Sequence, residues 1–293
     1  MASFREKWLA AVEQKNSVLC AGLDPAEYDL GREEEGLPDL VDKREWSFRY
    51  LEAVAPYAAA LKINVNYWKD RDDMRTAEEL ADFAAAECGM VPIDDSKPAD
   101  ISSTNEAAIF YAKKKGFDAI TIATFAGNLE AAAEQARRWD IGLISMCLMS
   151  NPEYEDEKNS WKKVNVGDHY ENSDVNVIDG VPHVRQYLKL AHDAAKYGLD
   201  GIVIGAPSKK NHITESELQK VRQYSRDDTL VLLLGIGAQG GEASAIWKYS
   251  DKDNVIVNVG RASMFPKGSN SAPYQQAEAA RHYQKMLNEL RNV

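Results

Sequence analysis

The stretch Ile93-Asp94-Asp95-Ser96-Lys97-Pro98-Ala99-Asp100-Ile101 sets three carboxylates and one ammonium at the end of an apolar run. Charges in such a place are costly unless they pair. Asp95 and Lys97 are two residues apart, so on an extended chain their side chains share a face and project together. A lysine kept charged by a neighbouring carboxylate is a positioned general acid rather than an amine nucleophile. A surface ion-pair turn is the plainer account of the same residues. A second lysine, Lys62, stands inside the apolar run Leu61-Lys62-Ile63-Asn64, where lysine is rarely buried without a partner. Asp24 closes the run Gly22-Leu23-Asp24-Pro25, with a helix cap or Asx turn as its ordinary explanation. If these runs are neighbouring strands of a closed sheet, Lys62 and Lys97 interleave with Asp95, and Asp24 lies beside them.

Two further segments carry small residues where an anion could approach the backbone. They are Gly235-Ile236-Gly237-Ala238-Gln239-Gly240-Gly241 and Asn258-Val259-Gly260-Arg261-Ala262. At the last two strand exits of a barrel such loops offer N–H groups to a phosphate, and Arg261 adds a forked, charged donor. One glycine-rich turn says little; two in these positions point to a phosphate site over two tight empty turns. The histidines His169, His183, His192, His212 and His282 show no metal-ligand spacing and read as surface or core. Cys20, Cys88 and Cys147 lack any C-x-x-C spacing and read as free thiols.

Short apolar runs position these residues: Val18–Leu23, Ala59–Val65, Met90–Asp94, Ala119–Ala123, Gly142–Leu148, Gly201–Gly205, Leu230–Leu234 and Val255–Val259. Several are nearly continuous in Val, Ile and Leu, as in strands buried on both faces of a parallel sheet. Helical periodicity fills the intervals, over Trp46–Tyr57 and His183–Tyr197 for example, and Ser103-Thr104-Asn105-Glu106 has the pattern of a capping box. Eight such alternations predict an α/β fold, a single (β/α)8 TIM barrel occupying residues 1–293 as one domain. Two connections are long: Pro25 to about Arg44, with the acidic run Glu33-Glu34-Glu35, and a polar insertion at about 153–182 after the fifth strand. Both belong on the C-terminal face, as solvated decoration or as a lid or subunit contact.

With 35 basic and 46 acidic residues the chain carries a net charge of -11, which disfavours nucleic acid and anionic lipid as partners. No run approaches the roughly 20 apolar residues of a membrane span, and the charged, amphipathic N-terminal segment is unlike a signal peptide, so a cytoplasmic location is expected.

The spacing Asp95-x-Lys97-x-x-Asp100-Ile101, followed by Thr104, resembles the motif of the orotidine 5′-phosphate decarboxylase family. Supporting it in the family's order are Gly22-Leu23-Asp24-Pro25, Lys62, Met149-Ser150-Asn151-Pro152, Gly237-Ala238-Gln239-Gly240-Gly241 and Val259-Gly260-Arg261, so the resemblance runs from Gly22 to Arg261. It implies a homodimeric decarboxylase of pyrimidine synthesis that binds a small nucleotide and uses no metal and no cofactor. Lys97 would protonate C6 of the pyrimidine with Asp95 beside the departing carboxylate. Asp100 and Thr104 would reach the neighbouring subunit's site. Asp24 and Lys62 would bind the ribose, Ser150 the pyrimidine, and Gln239, Gly260 and Arg261 the phosphate. The segment from Glu153 to Pro182 is longer than the family pattern. Two alternatives share these motifs in part: a metal-dependent sugar-phosphate decarboxylase or aldolase of the same superfamily, against which Lys62 and Ile101 weigh, and a nucleotide-binding protein without catalysis, against which the intact Asp95, Lys97 and Asp100 weigh.

Overall fold

The computed structural model describes residues 2–236 and 242–292. All eight apolar runs are strands: β1 Leu19–Leu23, β2 Ala60–Ile63, β3 Val91–Asp94, β4 Ala119–Ile122, β5 Gly142–Leu148, β6 Gly201–Gly205, β7 Leu230–Leu234 and β8 Val255–Val259. They pair in parallel, each with its sequence neighbour, and β1 closes the barrel onto β8. Their residues are buried almost throughout, because one face fills the barrel and the other meets the surrounding helices.

Outside the barrel lie α1 Phe4–Lys15, α2 Lys43–Val54, α3 Arg71–Ala86, α4 Ser102–Lys114, α5 Leu129–Trp139, α6 Tyr154–Asn159, α7 Gln186–Lys196, α8 Glu215–Tyr224, α9 Arg261–Met264 and α10 Pro273–Arg291. The first of these, α1, runs across the N-terminal end. Its Trp8 donates to Asp253 O at 2.8 Å, its Arg5 donates to Asp228 O at 3.1 Å, and its Lys7 pairs with Asp118, all three partners lying just before a strand. That end is therefore sealed, and chemistry is confined to the other.

Local chemistry shifts two helix starts. The helix expected from Trp46 begins three residues earlier, because Asp42 caps it by accepting the Glu45 N–H at 2.7 Å. The capping box expected at Ser103 does not form: α4 already begins at Ser102, with Ile101 at the cap. Asn105 serves instead, accepting from Asp100 N–H at 3.1 Å and donating to Asp100 O at 2.9 Å.

The polar insertion after β5 is structured. It holds α6 and a three-stranded antiparallel sheet of Trp161–Lys163, Asn176–Ile178 and Val181–Arg185, the last strand lying in the middle. The helix expected from His183 therefore begins only at Gln186, since residues up to Arg185 are committed to that sheet. Asp179 and Gly180 turn the hairpin in left-handed backbone, φ 52° and 76°. Buried Lys158 fastens the insertion to the barrel through Glu217 Oε1 at 2.6 Å and His212 O at 2.6 Å. Lys220 on α8 holds Glu171 at 2.9 Å and Asp174 at 2.8 Å. The insertion thus packs against the flank formed by α7 and α8.

Candidate active site

Register brings the first constellation together. Gly22 stands opposite Lys62, and Lys62 opposite Ile93, so the lysine points from β2 toward the residue that follows β3. Its Nζ lies 2.5 Å from Asp95 Oδ2 and 3.9 Å from Asp24 Oδ2. On the other oxygen, Asp95 Oδ1 accepts Lys97 Nζ at 2.6 Å and the Thr121 hydroxyl at 2.9 Å. Asp24 does not cap a helix; its Oδ1 accepts the Asn64 N–H at 3.2 Å and so ties β1 to β2.

Strand alternation is not what aims Lys97 at Asp95. The strand ends at Asp94, and Lys97 adopts left-handed backbone, φ 50°, with its N–H on Thr121 Oγ1 at 3.3 Å. That turn returns the ammonium to the carboxylate, and the Asp95 main-chain carbonyl also accepts Lys97 Nζ at 3.3 Å.

Burial sets the electrostatics. Lys62 and Asp95 are 2% and 3% exposed, so each is penalised for its charge. Burial works to discharge Lys62, but Asp24 and Asp95 outweigh it and raise its pKa. Burial likewise works to protonate Asp95, but Lys62 and Lys97 win and hold it ionised, below the usual carboxylate range. Asp94, next in sequence, forms no ion pair among the described residues; desolvation pushes it up to about 6. Cys20, buried on β1, is pushed up to about 12 by desolvation and is a thiol at neutral pH.

A cavity of about 570 Å³ opens over part of this network, with Asp24, Lys62 and Asp95 on one side and Asn258, Gly260 and Arg261 on the other; Lys97 reaches Asp95 without lining it. Gly22 is required there: a Cβ on it would lie 2.9 Å from Gly260 Cα. The guanidinium of Arg261 pairs with Glu35 from the long β1–α2 connection. The helix that follows, α9, is a single turn of 4 residues, so the positive charge here is supplied by Arg261 itself. Gln239 falls outside the described residues. Ser150, just beyond β5, sits against Gly205, where a Cβ would meet Ser150 Cβ at 2.6 Å. Asp100 and Thr104 are both exposed and do not line the cavity of their own chain; Asp100 Oδ1 accepts the Ile101 N–H at 2.7 Å.

Thr121, Arg32, Glu35 and Tyr67 are site residues to which sequence reasoning gave no role, and Asn258 entered it only as the first residue of the phosphate segment. Two had a visible signal, a polar side chain inside an otherwise apolar strand: Thr121 in Ala-Ile-Thr-Ile and Asn258 in Val-Ile-Val-Asn-Val. Among the described residues, one group has the geometry of metal ligands, Asp168, His192 and Asp193, with ligand atoms within 4.8 Å of one another. It bridges the insertion and α7, and none of the three lines the cavity over Asp95. No helix of the described residues is long and apolar enough to cross a membrane.

A closed parallel barrel with a Lys–Asp–Lys network at the exits of β2 and β3 has the architecture of a barrel enzyme with its charged groups at the C-terminal mouth. Residues 17–263 match the model of the orotidine 5′-phosphate decarboxylase / HUMPS family, and the chain belongs to that family. It is 30% identical over 295 residues to an orotidine 5′-phosphate decarboxylase of Halobacterium salinarum, covering 99% of this chain and 100% of the relative. A relative of the same name from Halorubrum lacusprofundi is 28% identical over 305 residues, with 99% and 100% covered. The fold is shared with the solved OMP decarboxylase of Leishmania donovani, at 22% identity, a TM-score of 0.72 and full coverage of both chains.

Proposed function

We propose that this chain converts orotidine 5′-phosphate to uridine 5′-phosphate and CO2, with Lys97 as the proton donor. One observation carries the reading: Asp95 is held ionised between two ammoniums inside the barrel mouth. In the reaction the bond between C6 and its carboxylate breaks, the carboxylate leaves as CO2, and the electron pair stays at C6. An ammonium fixed beside C6 stabilises that pair as it develops and then delivers a proton to it, leaving a neutral amine to be reprotonated from solvent. Proton and charge both come from the chain, so the step calls on no metal and no organic cofactor.

The remaining roles are assigned as the family resemblance implies them. Asp24 and Lys62 take the ribose hydroxyls, Ser150 the pyrimidine edge, and Arg261 with the Gly260 backbone and Gln239 the phosphate. Asp100 and Thr104 serve the site of a second subunit in a homodimer. Their exposure supports this, as does the neighbouring Ile101, an apolar side chain 66% exposed on the same turn. Cys20 and Cys147 are buried free thiols and Cys88 a half-buried one, a state suited to a reducing cytoplasm. The test follows the loss of orotidine 5′-phosphate ultraviolet absorbance in excess EDTA, with Lys97→Ala beside the parent. Conversion by the parent alone is expected; absence of conversion by a folded parent, or its restoration only with magnesium, overturns the reading.

A further inference from the structure

The rim of the cavity carries a second guanidinium to which no role above is given. Between β1 and α2 the chain makes a short turn, Glu33–Glu35, led by Arg32, whose carbonyl accepts the Glu35 N–H at 2.6 Å. Arg32 and Glu35 both line the cavity, beside Tyr67 and Arg261. Glu35 pairs with Arg261. Arg32 lies over the Tyr67 ring, 5.5 Å from its centroid, and among the described residues no carboxylate pairs with it. The turn does not hang free. Leu37 N–H donates to Ala26 O at 2.8 Å, both residues are buried, and Lys43 clasps Glu27 at 2.9 Å and Asp73 at 2.5 Å below it. A fixed base therefore presents one cation and one anion to the same cavity.

Charge decides what this arrangement can accept. As it stands, Glu35 neutralises Arg261, while Arg32 rests on an aromatic face. A phosphate monoester carries close to two negative charges at neutral pH and offers three acceptor oxygens. It outcompetes a single, half-exposed carboxylate for a guanidinium, and it has charge to spare for a second. Once it is seated on Arg261, Glu35 faces a dianion and is driven toward solvent.

We propose that Arg32 is a second binding residue for the substrate's 5′-phosphate, and that the phosphate displaces Glu35 from Arg261 as it binds. Binding then exchanges the Glu35–Arg261 pair for a phosphate held between Arg32 and Arg261. This rests on the reading that Arg261 faces the phosphate, and it adds both a residue and an ordered exchange to that reading.

The experiment measures dissociation constants of uridine 5′-phosphate and of uridine for the parent, Arg32→Met, Arg32→Lys and Glu35→Gln. Arg32→Met is expected to weaken nucleotide binding about tenfold or more, Arg32→Lys less, and Glu35→Gln to tighten it roughly two- to fivefold, each with uridine unchanged. Arg32→Met binding the nucleotide within about twofold of the parent, or shifts that are equal for nucleotide and nucleoside, would overturn the proposal. Arg32 and Glu35 are exposed, so neither change threatens the fold. Turnover of orotidine 5′-phosphate by the same preparations separates the two readings. A parent that binds the nucleotide but does not decarboxylate sinks the proposed reaction and leaves the clamp standing; an active parent with unaltered variants sinks the clamp alone.

Discussion

Lys97 Nζ lies 2.6 Å from Asp95 Oδ1, and Lys97 reaches it from left-handed backbone at φ 50°. A residue with a Cβ occupies that region at a cost of about 1 kcal/mol relative to glycine, so the position of the ammonium is held against local preference. Two outcomes are expected. Lys97→Ala lowers turnover by about 10³-fold or more while leaving the circular dichroism of the folded chain unchanged. Lys97→Gly is equally inactive but more stable than Lys97→Ala in denaturant unfolding, by about 1 kcal/mol. Full activity in either variant removes Lys97 from the chemistry.

Lys62 is the buried half of the same network, so its removal should be felt in stability as well as in rate. Lys62→Met leaves Asp95 with Lys97 and Thr121 on one oxygen and nothing on the other, which costs about 3 kcal/mol in denaturant unfolding. The pH dependence follows from the direction of the Asp95 shift. Its carboxylate is depressed in the folded chain, so its contribution is present above the ordinary carboxylate range and lost as pH falls toward the depressed value. In Lys62→Met that value rises, and acid unfolding should begin at a higher pH than in the parent. An unchanged acid transition would show that Lys62 does not hold Asp95 ionised.

The barrel was readable because strands buried on both faces leave continuous apolar runs, such as Leu230–Leu234, whose type does not depend on what they pack against. The insertion was not readable that way. Its strands are 3, 3 and 5 residues long and largely exposed, so burial left no alternation to detect, and only Asp179-Gly180 marked the hairpin. At the site, Lys62 and Asp95 stood out as charges in apolar runs. Glu35 and Arg261 did not stand out as a pair, since 226 residues separate them; Arg261 read as a phosphate donor and Glu35 only as part of an acidic run.

Asp94 offers the opposite titration. Desolvation raises it from an ordinary 3.8 to about 6, and one of its oxygens is buried without a hydrogen-bond partner among the described residues. A raised carboxylate favours the folded state only when protonated, so its contribution is fully present below 3.8 and lost as pH rises through about 6. Asp94→Asn should therefore stabilise the chain at pH 7.5 by up to about 3 kcal/mol, and by much less at pH 4. Melting temperatures at the two pH values test this; a gain that is the same at both would remove Asp94 titration as its source.

Lys158 joins the insertion to α8 through Glu217 and to the loop before it through His212 O, and its side chain is only 4% exposed. Lys158→Ala leaves the Glu217 carboxylate without that buried partner and cuts a buried polar tie across the seam. We expect faster amide exchange over residues 154–185 than in the parent, with the barrel strands unaltered. Insertion strands that stay as protected as in the parent would show that α7 packing, rather than this ion pair, fixes the segment.

Asp100 and Thr104 give the sharpest test of the dimer, because neither lines the cavity of its own chain. If both serve the partner's site, Lys97→Ala and Asp100→Ala are defects in different subunits' contributions. In a mixed dimer, the Lys97→Ala chain's site lacks both groups, whereas the Asp100→Ala chain's site keeps its own lysine and receives an intact aspartate from across the interface. Statistical remixing of two inactive homodimers puts about half of the chains in mixed dimers, each with one complete site, so about a quarter of parental activity should return. The mixture is prepared by dilution, exchange and reconcentration, and turnover is compared with that of each variant alone. No recovery in a mixture shown by mass to contain mixed dimers would return Asp100 to a structural role on the cap of α4.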